Sequence, residues 1–300
     1  MNDAVVTSGL RKRYGRTNAL DGFSLAVPRG SITGLVGRNG AGKTTWMMTV
    51  AGLTLPDSGT INILGRGPFD AERHSGRVGV IPQDSELPAE AKVRDLLIDY
   101  GLLQSLPRDA AARSADSLIR SFNLSQKAQA KIRTLSHGMR KRVMIAQAFL
   151  GDVELVLLDE PLSGLDPVEA DNMRSFLASM QGKVTIVISS HQLDDIERLC
   201  THVAFVSEGK VERMDTLRSI TSRCGRITYR LAREMGDISA IAREVPGVSF
   251  SVKGDTLAVE YSADREVPEI NAELLPRLLP YGVLSVSPGQ SLEEAYLNRS

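Results

Sequence analysis

The sequence predicts an α/β fold, with a largely parallel sheet covered on both faces, followed by a smaller α+β domain. Three observations predict it. Apolar segments at residues 31–36, 78–81, 155–158 and 184–189 are strand-sized and are separated by stretches with helical spacing. Strands alternating with helices mark a parallel sheet buried on both sides. After about Leu217 the texture changes to short alternating runs. The chain has 300 residues, more than the roughly 100–200 of an ordinary domain. One large domain is therefore expected over 1–217 and a second over 218–300.

Taken in order, residues 4–8 and 23–27 alternate apolar with polar or small residues and read as strands. The turn Pro28-Arg29-Gly30 leads into 31–36, a buried strand. A glycine-rich turn follows, then helical character over 45–53 and strands at 60–64 and 78–81. From about 84 to 150 the pattern turns helical. Val93, Leu96, Leu97 and Tyr100 share one face, and Leu118, Ile119 and Phe122 another. A basic helix is expected over 140–150, strands at 155–158 and 184–189, and helices at 169–180 and 193–200.

In the second domain Ile227, Tyr229 and Leu231 alternate, as do Val248, Phe250 and Val252, and Leu257, Val259 and Tyr261. Lys253-Gly254-Asp255 between the last two runs reads as a hairpin turn. With helical spacing at 238–245 and 267–279 and a last strand at 283–286, the order is β-α-β-β-α-β, the split ferredoxin-like arrangement.

Composition narrows the function. A hydrophobic fraction of 42% with 24% charged residues is that of a globular chain. Lys+Arg and Asp+Glu are both 36, so no basic footprint marks a nucleic-acid binder, and no nucleic-acid partner is expected. No apolar run approaches the roughly 18 residues of a bilayer span. Residues 1–7 lack the basic start and apolar core of a secretory signal. Cys200 and Cys224 are the only cysteines and neither lies in a CxxC, which predicts no structural disulfide and suits a reducing compartment.

Gly37-Arg38-Asn39-Gly40-Ala41-Gly42-Lys43-Thr44 fits G-x-x-x-x-G-K-[ST], between an apolar strand and a helix. Its glycines let backbone N–H groups turn toward a phosphate, and the helix start adds unpaired N–H groups and a positive dipole end. Lys43 reaches the β/γ-phosphates, and Thr44 offers its hydroxyl to Mg²⁺. The strand at 155–158 ends in Asp159-Glu160. Alone, such a pair reads as a solvated strand end. Beside a phosphate loop, Asp159 is placed at the Mg²⁺ and Glu160 at a water attacking the γ-phosphate. Leu135-Ser136-His137-Gly138-Met139 precedes the basic helix, and its Ser and Gly make an anion-binding N-terminus or a plain cap. Trp46, the only tryptophan, reads as core.

The ordered set resembles the ATP-binding subunit of an ABC transporter, over about residues 4–217. The resemblance implies a P-loop NTPase fold of the ABC ATPase type with a helical subdomain. Gln83 matches the Q-loop glutamine, residues 135–139 the signature, 155–160 the strand with its following glutamate, Ser163-Gly164-Leu165-Asp166 the D-loop, and His191 the switch histidine. Tyr14 matches the aromatic that stacks on adenine, and Thr45 joins the phosphate-binding loop. The implied catalytic residues are Glu160, His191 and Gln83, and the implied Mg²⁺ ligands are Thr44, Gln83 and Asp159. Ser136, Gly138 and Met139 are implied to act across a dimer, with Asp166 in the D-loop. His137 and Met139 depart from the usual Gly and Gln of the signature.

ATP and Mg²⁺ are the implied cofactors. The implied partners are a separately encoded transmembrane permease and a second ATPase subunit, in a homodimer or heterodimer. The region 291–297, Ser-Leu-Glu-Glu-Ala-Tyr-Leu, is similar to the end of exporter ATPases of the ABC-2 class. That class implies efflux of a drug, antibiotic, peptide or ion from the cytoplasmic face of the membrane. Other classes differ in visible ways. Soluble ABC ATPases of ribosomes or DNA usually carry paired domains or a long coiled-coil insert, which this chain lacks. A non-hydrolysing regulatory module would not need Lys43, Asp159, Glu160 and His191 together.

Overall fold

The computed structural model describes residues 3–83, 85–222, 225–236, 238–261 and 265–288. The chain divides into two compact units, Met1–Asp215 and Thr216–Ser300. The first runs β1 (Asp3–Tyr14), β2 (Thr17–Pro28), β3 (Ile32–Val36), α1 (Lys43–Val50), β4 (Ser58–Ile63) and β5 (Val78–Ile81). The helical insert follows as α2 (Val93–Leu103), α3 (Arg108–Ser121) and α4 (His137–Gln147). Then come β6 (Leu155–Asp159), α5 (Pro167–Ser179), β7 (Thr185–Ser190), α6 (Leu193–Leu199), β8 (His202–Ser207) and β9 (Lys210–Thr216).

These strands form two sheets, where the alternation of elements suggested one. β2, β1 and β4 make a separate antiparallel sheet. The cause is local: Tyr14 pairs with Thr17 across the two-residue turn Gly15-Arg16, and so short a connection permits only antiparallel pairing. Both strands also run further than the apolar segments at 4–8 and 23–27, because Arg11, Lys12 and Arg13 stay paired with Asp21, Leu20 and Asn18. The six-stranded sheet has the order β5-β6-β7-β3-β8-β9, in which β5, β6, β7, β3 and β8 run parallel to one another. β3, β6 and β7 are buried along their whole length, as covered parallel strands must be.

Two helix starts fall earlier than the apolar spacing suggests. α1 begins at Lys43 because Gly42, at φ 108, turns the chain straight into it. α4 begins at His137 because the Ser136 hydroxyl caps it, accepting from the Met139 N–H at 3.2 Å. β8 and β9 were not expected. Only Cys200 and Thr201 separate α6 from β8, and no glycine or proline punctuates the change. Trp46 is fully buried, stacks on Phe23 at 5.8 Å and donates its indole N–H to Thr7 Oγ1 at 3.1 Å.

The second unit runs α7 (Leu217–Ser222), β10 (Gly225–Leu231), α8 (Ser239–Glu244), β11 (Val248–Lys253), β12 (Thr256–Tyr261), α9 (Val267–Leu278) and β13 (Val283–Pro288). Its sheet order is β11-β12-β10-β13, with antiparallel neighbours throughout. Lys253 pairs with Thr256 across the Gly254-Asp255 turn. Ile227, Tyr229 and Leu231 of β10 share a core with Leu257 and Val259 of β12 and with Ile270, Leu274 and Leu278 of α9. Cys224 and the 291–297 segment lie outside the described residues. Among the described residues no helix is long and apolar enough to cross a membrane.

Candidate active site

The site forms where the parallel strands end. Register brings Ile81 level with Leu158, Asp159 level with Ser189, and Val36 level with Ser190. The segments that follow β3, β5, β6 and β7 therefore open on one edge of the sheet, where ligands of open α/β folds collect. A cleft of about 410 Å³ lies there. Asn39, Gly40, Ala41, Gly42, Lys43, Thr44 and Thr45 line one side, and Gln83, Asp159, Glu160 and His191 line the other.

Gly42 caps α1 with no side-chain hydrogen bond, and no acidic residue lies in the first turn. The first N–H groups of α1 are thus left for an anion. A Cβ on Gly42 would lie 2.6 Å from the Ala19 carbonyl oxygen, so this position takes only glycine. The Lys43 ammonium is buried and donates to the carbonyls of Gly37 at 2.7 Å and Arg38 at 3.1 Å. Burial pushes its pKa below the ordinary lysine range, while Glu160 and Asp159 pull it back up. Gly37 and Arg38 do not line the cleft; they serve as the carbonyl rests of Lys43.

On the opposite side Asp159 is 3% exposed. Its Oδ1 accepts from the Ser189 hydroxyl. The same hydroxyl oxygen accepts from the Glu160 N–H at 2.9 Å. Glu160 sits at φ 51, a left-handed conformation for a residue with a side chain. Its carboxylate accepts from His191 Nδ1 at 2.8 Å, and its carbonyl accepts from Lys141 Nζ at 3.1 Å. The His191 side chain is half exposed, whereas that of Glu160 is mostly covered. This pair can hold and pass a proton at the mouth of the cleft.

Asp159 Oδ2 is buried without a hydrogen-bond partner. An anionic oxygen in that state is costly unless something charged meets it. Thr44 and Gln83 offer further oxygens to the same cleft, and hard oxygen donors suit Mg²⁺. Among the described residues no group of three or more His, Cys, Asp or Glu could hold a metal alone. The donor set fits an ion that takes its remaining ligands from a nucleotide's phosphates and from water.

The structure does not bring every expected residue to this cleft. Tyr14 stands exposed at the end of β1, with Lys12 Nζ 5.5 Å from its ring centroid, and is not among the lining residues. Ser136, Gly138, Met139 and Asp166 also lie off the cleft of their own chain. Gly138 has a reason within the chain: a Cβ there would overlap the Glu169 carboxylate. Glu169 is held by Arg142 at 3.1 Å, and its N–H is capped by Asp166 at 2.9 Å. The D-loop and the signature are joined through this one residue. Four contributors were missed from the sequence: Ser189, Lys141, and Thr17 and Ala19, which also line the cleft. Ser189 carries a signal, as a polar residue closing an apolar strand. Thr17, Ala19 and Lys141 carry none.

A parallel sheet with a phosphate loop after one strand, two carboxylates after another and a histidine after a third defines an ABC-type ATPase cassette. A family model described as ABC transporter matches residues 20–163. The Nod factor export ATP-binding protein I of Ralstonia nicotianae is 40% identical over 207 residues, which span 67% of this chain and 64% of that protein. A daunorubicin resistance ATP-binding protein of Streptomyces coeruleorubidus is 32% identical over 256 residues, spanning 84% of this chain and 81% of that one. A solved ATP-binding subunit of an ABC transporter superposes with a TM-score of 0.65 at 29% identity, over 72% of this chain and 91% of that one. The chain belongs to the ABC transporter family, as one of its ATP-binding proteins.

Proposed function

We propose that this protein hydrolyses ATP to drive export of a drug, antibiotic, peptide or ion through a separately encoded permease, from the cytoplasmic face of the membrane. Residues 1–217 are the ATP-binding domain in this reading, and 218–300 an accessory domain. The names of the Ralstonia and Streptomyces relatives, an export protein and a resistance protein, support the direction of transport. The observation that carries the chemistry is the Glu160–His191 contact at the mouth of a cleft walled by Lys43 and Asp159.

Lys43 and the first N–H groups of α1 hold the β- and γ-phosphates. Glu160 orients a water in line with the γ-phosphorus and accepts its proton as the new P–O bond forms and the bond to the β-phosphate oxygen breaks. His191 Nδ1 holds the Glu160 carboxylate in place. Thr44, Asp159 and Gln83 would hold Mg²⁺, which would supply positive charge against the phosphates. Ser136, Gly138 and Met139 complete the site of a second subunit, which fits their position off the cleft of their own chain. That second subunit is another copy or a related ATPase.

Glu160→Gln tests this reading. It keeps size and hydrogen bonding but removes the proton acceptor. Single-turnover hydrolysis should slow by about 10²-fold or more, while Mg-ATP still binds and an ATP-bound dimer accumulates on size exclusion. Turnover at the parent rate would move the base away from Glu160.

A further inference from the structure

We propose that Lys141 is a positioning residue for hydrolysis: its ammonium, carried on α4, fixes the backbone of Glu160 and so aims the carboxylate. The inference rests on the reading of Glu160 as the base. It begins from an awkward conformation. Glu160 stands at φ 51, a left-handed conformation that residues with a side chain rarely adopt. Pro161 follows it, and a residue before proline is biased toward extended backbone. Neither preference favours the observed φ, so contacts around the residue must hold it.

Four contacts do so. The N–H is held by Ser189 Oγ at 2.9 Å, the carboxylate by His191 Nδ1 at 2.8 Å, and the carbonyl by Lys141 Nζ at 3.1 Å and, at a longer 3.3 Å, by the Ser163 N–H. Ser189 and His191 come from β7 and the residue after it. Lys141 comes from the helical insert. Fixing both the N–H and the C=O of one residue removes the two backbone rotations that would swing its side chain. A carboxylate that must sit in line with a water gains from this, since small misplacements cost large factors in rate.

The ammonium is specifically placed. Burial pushes the Lys141 pKa below the ordinary lysine range, and the Glu160 and Asp159 carboxylates pull it back up. A half-buried lysine that reaches a backbone carbonyl beside two acids is not a solvated surface charge, although Arg140-Lys141-Arg142 reads like one. The helix adds a consequence. Ser136 caps α4, and Lys141 lies five residues on, about 7.5 Å along the axis. Whatever moves the signature end of α4 also moves the hold on Glu160. Lys141 thereby ties the signature, which serves the opposite subunit's nucleotide, to the base of its own site.

The test uses the full chain, with K141M, K141R, E160Q and the double variant E160Q/K141M. Steady-state hydrolysis of Mg-ATP gives kcat and KM, binding of ATP is measured separately, and thermal melting monitors the fold. K141M should lower kcat about 10- to 100-fold with KM and ATP affinity nearly unchanged. K141R, which restores a donor and a charge, should recover most of that loss. Because Lys141 acts through Glu160, adding K141M to E160Q should slow hydrolysis little further. K141Q replaces K141M if the methionine variant does not fold. A K141M protein with the parent kcat overturns the proposal. So does an equal slowing in the E160Q background, which would mark a general structural effect. E160Q at the parent rate would instead remove the base assignment on which the inference stands.

Discussion

The two units of this chain bury their sheets in different ways. In the first, β3, β6 and β7 are covered on both faces, and the polar residues Asp159, Ser189 and Ser190 lie buried at the strand ends. In the second, β11 alternates half-buried and exposed residues, and the core is apolar but for Tyr229, whose hydroxyl donates to Asn271 at 2.6 Å. A parallel sheet with both faces covered opens only at its edge, so loops, helix starts and charges converge there. An antiparallel sheet covered on one face needs no such convergence. It packs its helices by alternation.

The largest effect expected from this contrast comes from Lys43→Ala. The change removes a charge-assisted contact worth about 1.5–3 kcal/mol. ATP affinity should fall about tenfold or more, and Mg²⁺-dependent phosphate release should nearly vanish. Equilibrium binding of ATP beside a phosphate-release assay measures both. Normal turnover in this variant would detach the chemistry from the strand-end cleft.

Tyr229→Phe probes the other unit and should be smaller. It removes one buried hydrogen bond, costing about 1 kcal/mol in denaturant unfolding, and leaves ATP turnover untouched. It also carries a pH signature. Burial, with Tyr261 beside it, holds the Tyr229 phenol up at about 12. The folded unit favours the neutral phenol, so this stability is complete below about 10 and falls as pH rises from there toward 12. The phenylalanine variant should lose that alkaline decline. A decline that persists unchanged would assign it to another group.

What was legible in the sequence follows the same division. Residues 78–81 and 155–158 read correctly as strands because wholly apolar runs bounded by turns have few alternatives. The phosphate loop and Asp159-Glu160 were legible because their chemistry needs fixed residue types at fixed spacing. The separate antiparallel sheet was not, since alternation marks a strand but not its partner. Lys141 was hidden for a different reason. A lysine between two arginines has the composition of a solvated helix face, and only the approach of α4 to the end of β6 separates it from its neighbours. Ser189 was in view beside His191, yet its role depends on bridging two residues 30 and 29 positions away.

The smallest effect expected on ATP chemistry comes from the largest deletion. Truncation after Leu217 removes nearly all of the second unit but keeps β9, which ends at Thr216, at the edge of the six-stranded sheet. The core under Trp46 and the antiparallel sheet draws on no residue beyond Met214 among those described. Every residue lining the cleft lies at or before His191. The shortened chain should therefore stay soluble, bind ATP with the parent affinity and release phosphate at the parent rate. Its melting should lack the Tyr229-linked alkaline decline, because the group responsible is gone. Co-purification with the proposed permease is where a loss would be informative, since it would give the second unit a docking role separate from catalysis. An insoluble product, or one that no longer binds ATP, would mean that the first unit's stability draws on residues beyond 217, and the contrast between a catalytic unit and an independent accessory one would fail.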